Sequence, residues 1–123
     1  MAMALYAALL YYPEDGGWME REHLAEHSGF LADPGAREVV RGWQALRPAG
    51  TATTITVGGG LGGDVVITDG PYAEAKEVLG GFYLLEAADM DEAIRWAARI
   101  PAAWRGKIEV RPVLPVNPGV APP

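Results

Sequence analysis

The chain of 123 residues is long enough for one domain with its own hydrophobic core. Its formal net charge of −6 opposes binding to nucleic acid or to an anionic membrane, because both are negatively charged themselves. It contains no cysteine, which excludes disulfides, thiolate metal sites and cysteine nucleophiles.

The first predicted element is a strand. Residues 3–12 are almost uniformly apolar, which is typical of a strand buried on both sheet faces. The run lacks a basic leader and is too short to span a bilayer, so we expect a cytoplasmic protein with no membrane contact. After a loop at residues 13–17, residues 19–32 predict a helix. Its apolar stripe is expected to contain Leu24, His27, Phe30 and Leu31.

The middle of the chain predicts extended structure. Residues 39–46 suggest one segment, and residues 53–57 and 65–68 suggest two β-branched strands. The run GGGLGG at residues 58–63 joins those two strands. It lacks the Gly-Lys-Ser/Thr ending of a phosphate loop and no helix signal follows directly, so it predicts a flexible hairpin connection.

Residues 68–82, TDGPYAEAKEVLGGF, form the densest polar cluster of the chain. Residues 69–71 predict a turn in which the Asp69 carboxylate accepts backbone N–H groups. Residues 73–78 predict one or two helical turns. Two interpretations of the charges at Glu74, Lys76 and Glu77 stay open, a solvated surface turn and the mouth of a pocket that holds a polar ligand.

The last third of the chain predicts a strand, a helix and a strand. The short apolar strand covers residues 82–85, and Asp89 with Glu92 has the spacing of a capping box. The predicted helix places Ile94, Ala97, Ala98 and Pro101 on one face, widened by Ala93, Trp96 and Ile100. Residues 107–113 predict the final strand, and residues 115–123 form a Pro-rich tail that either contacts another protein or is a disordered end.

This order of elements predicts an α+β fold with an antiparallel or mixed sheet and two helices on one face. Two helices cover only one face of a sheet, and the first and fifth strands are too apolar for a solvated side. The other face is therefore expected to be buried against a second copy in a two-fold homodimer.

Two histidines, His23 and His27, stand at i and i+4 on the first predicted helix. This spacing suits a metal ion with Glu26 or Asp33 as a further ligand, but no HExxH pattern is present and solvated side chains explain it better, so no metal is predicted. A second interpretation makes His23 a general base oriented by Asp33, which requires a bend at the helix end. On the last strand, Arg111 with Glu109 forms either an ion pair or a grip on a ligand carboxylate.

The strings TDGPYAEAKEVLGGFYLLEAADMDEAIRWAARIP and IEVRPV, with LRPAGTATTITV upstream, resemble the DGPF (DGPFAETKE) branch of the YCII-related protein family. The chain departs from that name with Tyr72 in place of Phe and Ala75 in place of Thr. The resemblance implies a ferredoxin-like α+β fold that forms a dimeric α/β barrel, and genes encoded beside or fused to extracytoplasmic-function sigma factors. It also implies kinship to lactone isomerases and small monooxygenases, with His23 and Asp33 as counterparts of a His/Asp pair proposed for the wider superfamily.

These observations predict a YCII-related domain at residues 1–114, followed by the tail at 115–123. The first functional hypothesis is a cofactor-free isomerase, cyclase or hydrolase with a small-molecule pocket between helix and sheet. Its catalytic residues are His23 and Asp33, and its ligand-binding residues are Asp69, Tyr72, Glu74, Lys76 and Arg111. The alternative is a non-catalytic ligand-sensing or interaction module linked to sigma-factor-dependent transcription.

Overall fold

The computed structural model describes residues 3–14, 21–72 and 76–115. Several predictions lie outside the described residues: the first two residues of the predicted helix, Glu74 and Ala75 in the polar cluster, and the tail beyond residue 115.

The described residues form six strands, four α-helices and one 3-10 turn. The strands are β1 (Ala4–Pro13), β2 (Val40–Ala45), β3 (Thr53–Gly58), β4 (Asp64–Asp69), β5 (Glu77–Ala87) and β6 (Lys107–Pro112). The helices are α1 (Arg21–Ala32), α2 (Pro34–Val39), α3 (Met90–Ala97) and α4 (Ala102–Arg105), with a 3-10 turn at Ala49–Thr51. None of the described helices is long and apolar enough to cross a bilayer.

The strands form a four-stranded sheet in the order β2-β5-β1-β6 and a separate two-stranded sheet of β3 and β4. Every pairing in both sheets is antiparallel. Apart from the β3–β4 hairpin, this order and connectivity are those of a ferredoxin-like fold, so the α+β prediction is confirmed at that level. The described chain forms no closed barrel. The homodimer and its dimeric barrel stay predictions.

Burial alternates along β1, which differs from the prediction of a strand buried on both faces. Tyr6, Ala8, Leu10 and Tyr12 are buried, whereas the intervening residues are half-buried. The buried set belongs to clusters with residues from the helices, so the helices cover this inner face of the sheet. The other side, called the outer face below, has no helix over it in the described chain.

Helix α1 uses a different stripe from the predicted one. The buried residues are His23, His27 and Phe30, at i, i+4 and i+7, while Leu24 is 40 % exposed. Helix spacing alone does not distinguish the two stripes, and the sheet selects the one that contains both imidazoles.

The predicted cap of α3 is confirmed. The Asp89 carboxylate accepts a hydrogen bond from the Glu92 N–H at 2.8 Å, and the Glu92 carboxylate accepts one from the Ala88 N–H at 3.4 Å. The inner face of the helix is narrower than predicted, because Ala93 and Ala97 are buried while Ile94 is exposed.

The prediction of helical turns through residue 78 is wrong at its end, because β5 already begins at Glu77. The strand therefore contains Gly80 and Gly81, which were predicted to precede it. A Cβ on Gly81 would lie 2.6 Å from the Gln44 carbonyl oxygen, so this position requires the absence of a side chain. The register between β1 and β5 shifts at Leu10 and Tyr11, opposite these glycines.

Candidate functional site

A small cavity of about 120 Å³ lies between α1 and the β2–β5 edge of the sheet. Its polar wall is formed by Tyr12, His27, Ser28, Gln44 and Tyr83, and its apolar wall includes Leu10, Leu24 and Trp43. No charged residue of the described chain lines it. The rings of Trp43 and Tyr83 stack with centroids 5.8 Å apart, which fixes the aromatic side of the cavity.

Two tyrosines and two histidines meet at the buried end of this cavity. The Tyr83 hydroxyl lies 2.6 Å from His27 Nδ1, and His27 Nε2 lies 3.3 Å from the Tyr12 hydroxyl. The Tyr12 hydroxyl lies 2.7 Å from His23 Nε2. The two Nε2 atoms are 3.2 Å apart. His27 belongs to the cavity wall, whereas His23 is only 1 % exposed and lies behind it.

The chain of polar groups continues from His23 to the protein surface. His23 Nδ1 lies 3.5 Å from Glu26 Oε1, and the same oxygen accepts a hydrogen bond from Arg105 Nε at 2.6 Å. Because a carboxylate only accepts, His23 Nδ1–H is the donor and His23 Nε2 is left to accept. Glu26 is partly exposed, so it connects the buried rings with solvent.

One assignment of the protons then gives each polar group of the network a hydrogen-bond partner, one after another. Tyr83 donates to His27 Nδ1, and His27 Nε2–H donates to the Tyr12 oxygen. Tyr12 in turn donates to His23 Nε2, and His23 donates to Glu26. All donors point the same way, from the cavity to the surface. We call this set of five residues the Tyr–His chain.

Burial sets the protonation of the Tyr–His chain. It lowers the pKa of His27 to about 4, the electrostatic interaction with His23 lowers this pKa further, and Glu26 opposes the change. The same burial raises the pKa of Tyr12 to about 12, with Arg105 acting in the opposite direction. The pKa of Tyr83 is also raised, by burial first and by Tyr12 second. At neutral pH, His27 is therefore a neutral imidazole between two neutral hydroxyl groups.

Glu26 differs from these buried groups. The hydrogen bond from Arg105 is the largest cause that lowers the pKa of its carboxyl, and burial partly opposes it. The carboxylate at the end of the chain is thus ionised at neutral pH.

Asp33 has a structural position in the fold. It is the N-cap of α2, where its carboxylate accepts a hydrogen bond from the Ala36 N–H at 3.0 Å, and it pairs with Arg99 at 3.5 Å. The described carboxylate beside His23 is that of Glu26 instead. The sequence therefore indicated the histidine of the network, while the described contacts supply a different carboxylate.

Some described residues of the polar cluster line a second, larger cleft, whereas Asp69 and Lys76 are not part of its lining. This cleft of about 580 Å³ is lined by Pro71 and Tyr72, by the 3-10 turn and by Val78 and Leu79. Tyr72 is 89 % exposed at its rim. Asp69 ends β4, and the Lys76 carbonyl accepts a hydrogen bond from the Glu14 N–H at 2.9 Å.

The cleft and the cavity follow one another along the same two strands. Ala45 and Gly80 line the cavity, and the next residues outward, Leu46 and Leu79, line the cleft. The Leu46 N–H donates to the Gly80 carbonyl at 2.8 Å, which joins the two walls.

Arg111 stands apart from both sites. It pairs in register with Ala7 of β1, which belongs to the outer face, and so it lies on the side of the sheet opposite the histidines.

Within the described residues, no group of three or more His, Asp or Glu side chains is arranged to hold a metal ion. His23 and His27 face each other across 3.2 Å, with both Nε2 atoms engaged with Tyr12. The described residues therefore form a hydrogen-bond network at this position.

Sequence reasoning did not find Tyr12 and Tyr83 as site residues. Tyr12 is 15 residues from His27 and Tyr83 is 56 residues from it, so no local spacing connects them. The available signal was a hydroxyl group in each of two apolar strands, because a buried Tyr hydroxyl usually has a polar partner.

A model of the YCII-related domain matches residues 4–117 of this chain. An uncharacterised protein of Rhizobium meliloti (strain 1021) is 44 % identical over 62 residues, which is 49 % of this chain and 50 % of that protein. The match thus spans about half the length of the curated relative. Neither name states a reaction, so the chemistry of the side chains has to carry any functional assignment.

Proposed function

The chain belongs to the YCII-related domain family, and from that premise we propose an acid–base enzyme of isomerase, cyclase or hydrolase type that acts on a small molecule. Its own side chains move the proton. The observation that carries the proposal is the continuous donor sequence from Tyr83 at the cavity through His27, Tyr12 and His23 to Glu26.

In this proposal the Tyr83 hydroxyl is the group that meets the substrate. When its oxygen accepts a proton from the substrate, its own proton passes to His27 Nδ1, and His27 Nε2 releases one to Tyr12. Tyr12 and His23 repeat the step, and the proton reaches Glu26. The low pKa of Glu26 prevents it from keeping the proton, which passes on to water. The reverse sequence returns a proton to the product.

The cavity wall also suggests the class of substrate. About 120 Å³ lies well below the roughly 300–1,000 Å³ of pockets for drug-sized ligands, so only a small reacting group fits. The uncharged wall favours an uncharged group such as a ketone or lactone carbonyl. The cleft beside Tyr72 is large enough for the remainder of the substrate. The motif TDGPYAEAKE supports placing the chain in the DGPF branch, and we propose the cytoplasm as its location.

The test uses small carbonyl compounds as probes, because the natural substrate has not been identified. Proton NMR in D₂O measures exchange of the α-protons of 2-cyclopentenone and α-angelica lactone with and without the protein. We expect exchange catalysed by the wild type and lowered roughly 100-fold in Tyr83→Phe and His27→Gln. Ser28→Ala, at the cavity wall but outside the Tyr–His chain, is the matched control and keeps most of the rate. Equal catalysed rates in wild type, Tyr83→Phe and His27→Gln would remove the chain from the mechanism.

A second candidate function is a ligand-sensing module linked to sigma-factor-dependent transcription. The observation that favours it is that both ring nitrogens of His27 already have partners inside the protein. Such a saturated network suits a rigid binding pocket as well as a relay. The same probes distinguish the two functions: quenching of tryptophan fluorescence on binding, with no proton exchange in any variant, supports the sensing module.

A further inference from the structure

Arg105, the last residue of the short helix α4, is held in place by the chain on both sides of it. Ala102, at the start of the helix, is fully buried in the core. Gly106 follows Arg105 directly, and a Cβ on Gly106 would clash with the Tyr11 carbonyl oxygen of β1. The backbone at Arg105 is therefore packed beside the strand that carries Tyr12, which gives its side chain a fixed point of attachment.

This side chain fixes the Glu26 carboxylate at the surface end of the Tyr–His chain. Arg105 Nε donates to Glu26 Oε1 at 2.6 Å, whereas His23 Nδ1 lies 3.5 Å from the same oxygen. The first contact is a short, charge-assisted hydrogen bond, and the second is at the outer limit of hydrogen-bond distance. The Trp104 side chain also hydrogen-bonds to this carboxylate, with a smaller effect on its pKa than Arg105 has. Arg105 therefore makes the main contact that keeps Glu26 beside His23.

The distances alone allow the Tyr–His chain to run in either direction, because a distance between two heavy atoms does not show which of them carries the proton. In the reverse direction, His23 donates from Nε2 to Tyr12, and Tyr12 donates to His27 Nε2. His27 then donates from Nδ1 to Tyr83, whose own proton is turned to the cavity. The two directions give Tyr83 opposite roles toward a substrate, as an acceptor in the forward direction and as a donor in the reverse one.

The contact with Glu26 distinguishes the two directions. In the forward direction, His23 presents an N–H to the carboxylate, and in the reverse direction it presents the lone pair of Nδ1. A lone pair is repelled by a carboxylate and leaves both groups without a donor between them. The ionised Glu26, kept at this position, therefore favours the forward direction along the whole network, as far as Tyr83.

We propose that Arg105 is the positioning residue that sets the direction of the Tyr–His chain. By holding the Glu26 carboxylate against His23 Nδ1, it keeps the His23 proton on that nitrogen and leaves the Tyr83 oxygen able to accept a proton from a substrate. Arg105 does not line the cavity, so its effect on the reaction passes through Glu26. The effect on the proton arrangement stands on these contacts, whereas the effect on turnover rests on the proposed function.

Nitrogen-15 NMR of the His23 ring measures the proton arrangement without any substrate, with His27→Gln used to assign the ring. At neutral pH we expect at least about nine tenths of wild-type His23 to carry its proton on Nδ1. Arg105→Met removes the charged donor and keeps a long side chain, so the form protonated on Nε2 should rise to at least about a third. Arg105→Lys keeps the charge and should restore most of the Nδ1–H form. Arg41→Met, the matched control, removes a similarly exposed guanidinium that pairs with Glu86 at 3.3 Å and should leave His23 unchanged.

The α-proton exchange of 2-cyclopentenone in D₂O measures the consequence for the reaction. We expect the maximal catalysed rate to fall roughly tenfold in Arg105→Met, because the residue acts on proton transfer. The half-saturating concentration of the probe should change less than about threefold, because Arg105 does not touch the bound molecule. Arg105→Lys should recover most of the rate, and Arg41→Met should stay within about threefold of the wild type.

The two measurements separate failure of this inference from failure of the proposed function. An unchanged His23 ring in Arg105→Met, or a wild-type His23 with protons on both nitrogens, overturns the inference whatever the exchange rates are. A shifted ring with an unchanged exchange rate overturns the effect on the reaction. A wild type that catalyses no exchange contradicts the proposed function, while a shifted ring in the same protein still supports the positioning role of Arg105.

Discussion

The inner face of the four-stranded sheet and the apolar face of the β3–β4 hairpin around Ile55 and Ile67 are made from similar strands in opposite surroundings. Around Tyr83 the strands are covered by helices, and polar groups are buried with partners. Around Ile55 no helix covers the strands in the described chain, and apolar side chains are exposed. β-propensity is alike in both, so the difference lies in what covers each surface.

The inner face of the sheet contains the buried polar network, whereas the apolar side chains of the hairpin lack packing contacts in the described chain. Buried Tyr and His side chains cost free energy unless they are hydrogen-bonded, so the Tyr–His chain requires accurate packing around it. The exposed side chains of the hairpin do not depend on accurate packing within one chain. Mutations should therefore have large effects on the first surface and small effects on the second while the protein is monomeric.

The largest difference is expected between Tyr83→Ala and Ile55→Ala. Tyr83→Ala opens a cavity in the core and leaves His27 Nδ1 without its partner, which lowers the free energy of unfolding by roughly 3–5 kcal/mol. Ile55→Ala removes an exposed side chain and costs less than about 1 kcal/mol. Urea unfolding at low protein concentration measures both. Equal losses would show that the hairpin is already packed within one chain.

The next effect is the pH dependence of stability. The pKa of His27 is 6.5 when unfolded and about 4 when folded, so between these values the unfolded chain binds a proton that the folded chain does not. The stability that neutral His27 contributes is present above pH 6.5 and is lost as the pH falls to about 4, by roughly 3 kcal/mol.

Urea unfolding at several pH values checks this loss, with His27→Gln as the comparison. The variant has no imidazole at that position and should lose much less stability over the same interval. An identical decline in wild type and variant would assign the pH dependence to other groups.

A smaller difference in stability is expected between substitutions at two glycines. Gly81→Ala forces a methyl group against the Gln44 carbonyl in the sheet and should cost roughly 1–3 kcal/mol. Gly60→Ala meets no neighbour but holds a φ of +89°, which should cost about 1 kcal/mol. Thermal unfolding of the two variants orders them. A larger loss for Gly60→Ala would mean that the sheet yields at Gly81 more easily than the hairpin turn does.

The smallest stability losses are expected for substitutions at a helix cap and at the tip of the hairpin. Asp89→Ala removes the bond to the Glu92 N–H and should cost about 1 kcal/mol. Leu61→Ala at the fully exposed tip should change stability by less than about 0.5 kcal/mol. Urea unfolding resolves the first value, and a loss at Leu61 of similar size would reveal a contact at the tip.

Local patterns predicted much of this fold. The capping box at Asp89, the strands that flank GGGLGG and the strand at residues 107–113 depend on neighbouring residues, and the structure has them close to their predicted positions. The prediction for the end of the polar cluster was wrong. Gly80 and Gly81 suggested that a strand begins only after them, whereas both lie within β5, and Gly81 closely approaches β2.

The site could be predicted only in part. His23 was identified from its spacing with His27 and from the family resemblance, but which side of α1 faces the sheet depends on packing. Tyr12, His27 and Tyr83 come together only after β1, α1 and β5 have packed, so no sequence spacing contains that contact. The carboxylate beside His23 in the structure is that of Glu26, one turn away, whereas Asp33 caps the following helix.

The central claim is that the Tyr–His chain contains a neutral His27 that donates from Nε2 and accepts at Nδ1. Nitrogen-15 NMR of the histidine side chains, recorded from pH 8 to pH 3.5 with His23→Gln used to assign the two rings, tests it most directly. Our account predicts that His27 carries its proton on Nε2 at neutral pH and titrates with a pKa of about 4. Titration of His27 near pH 6.5, or a proton on Nδ1 at neutral pH, would contradict it.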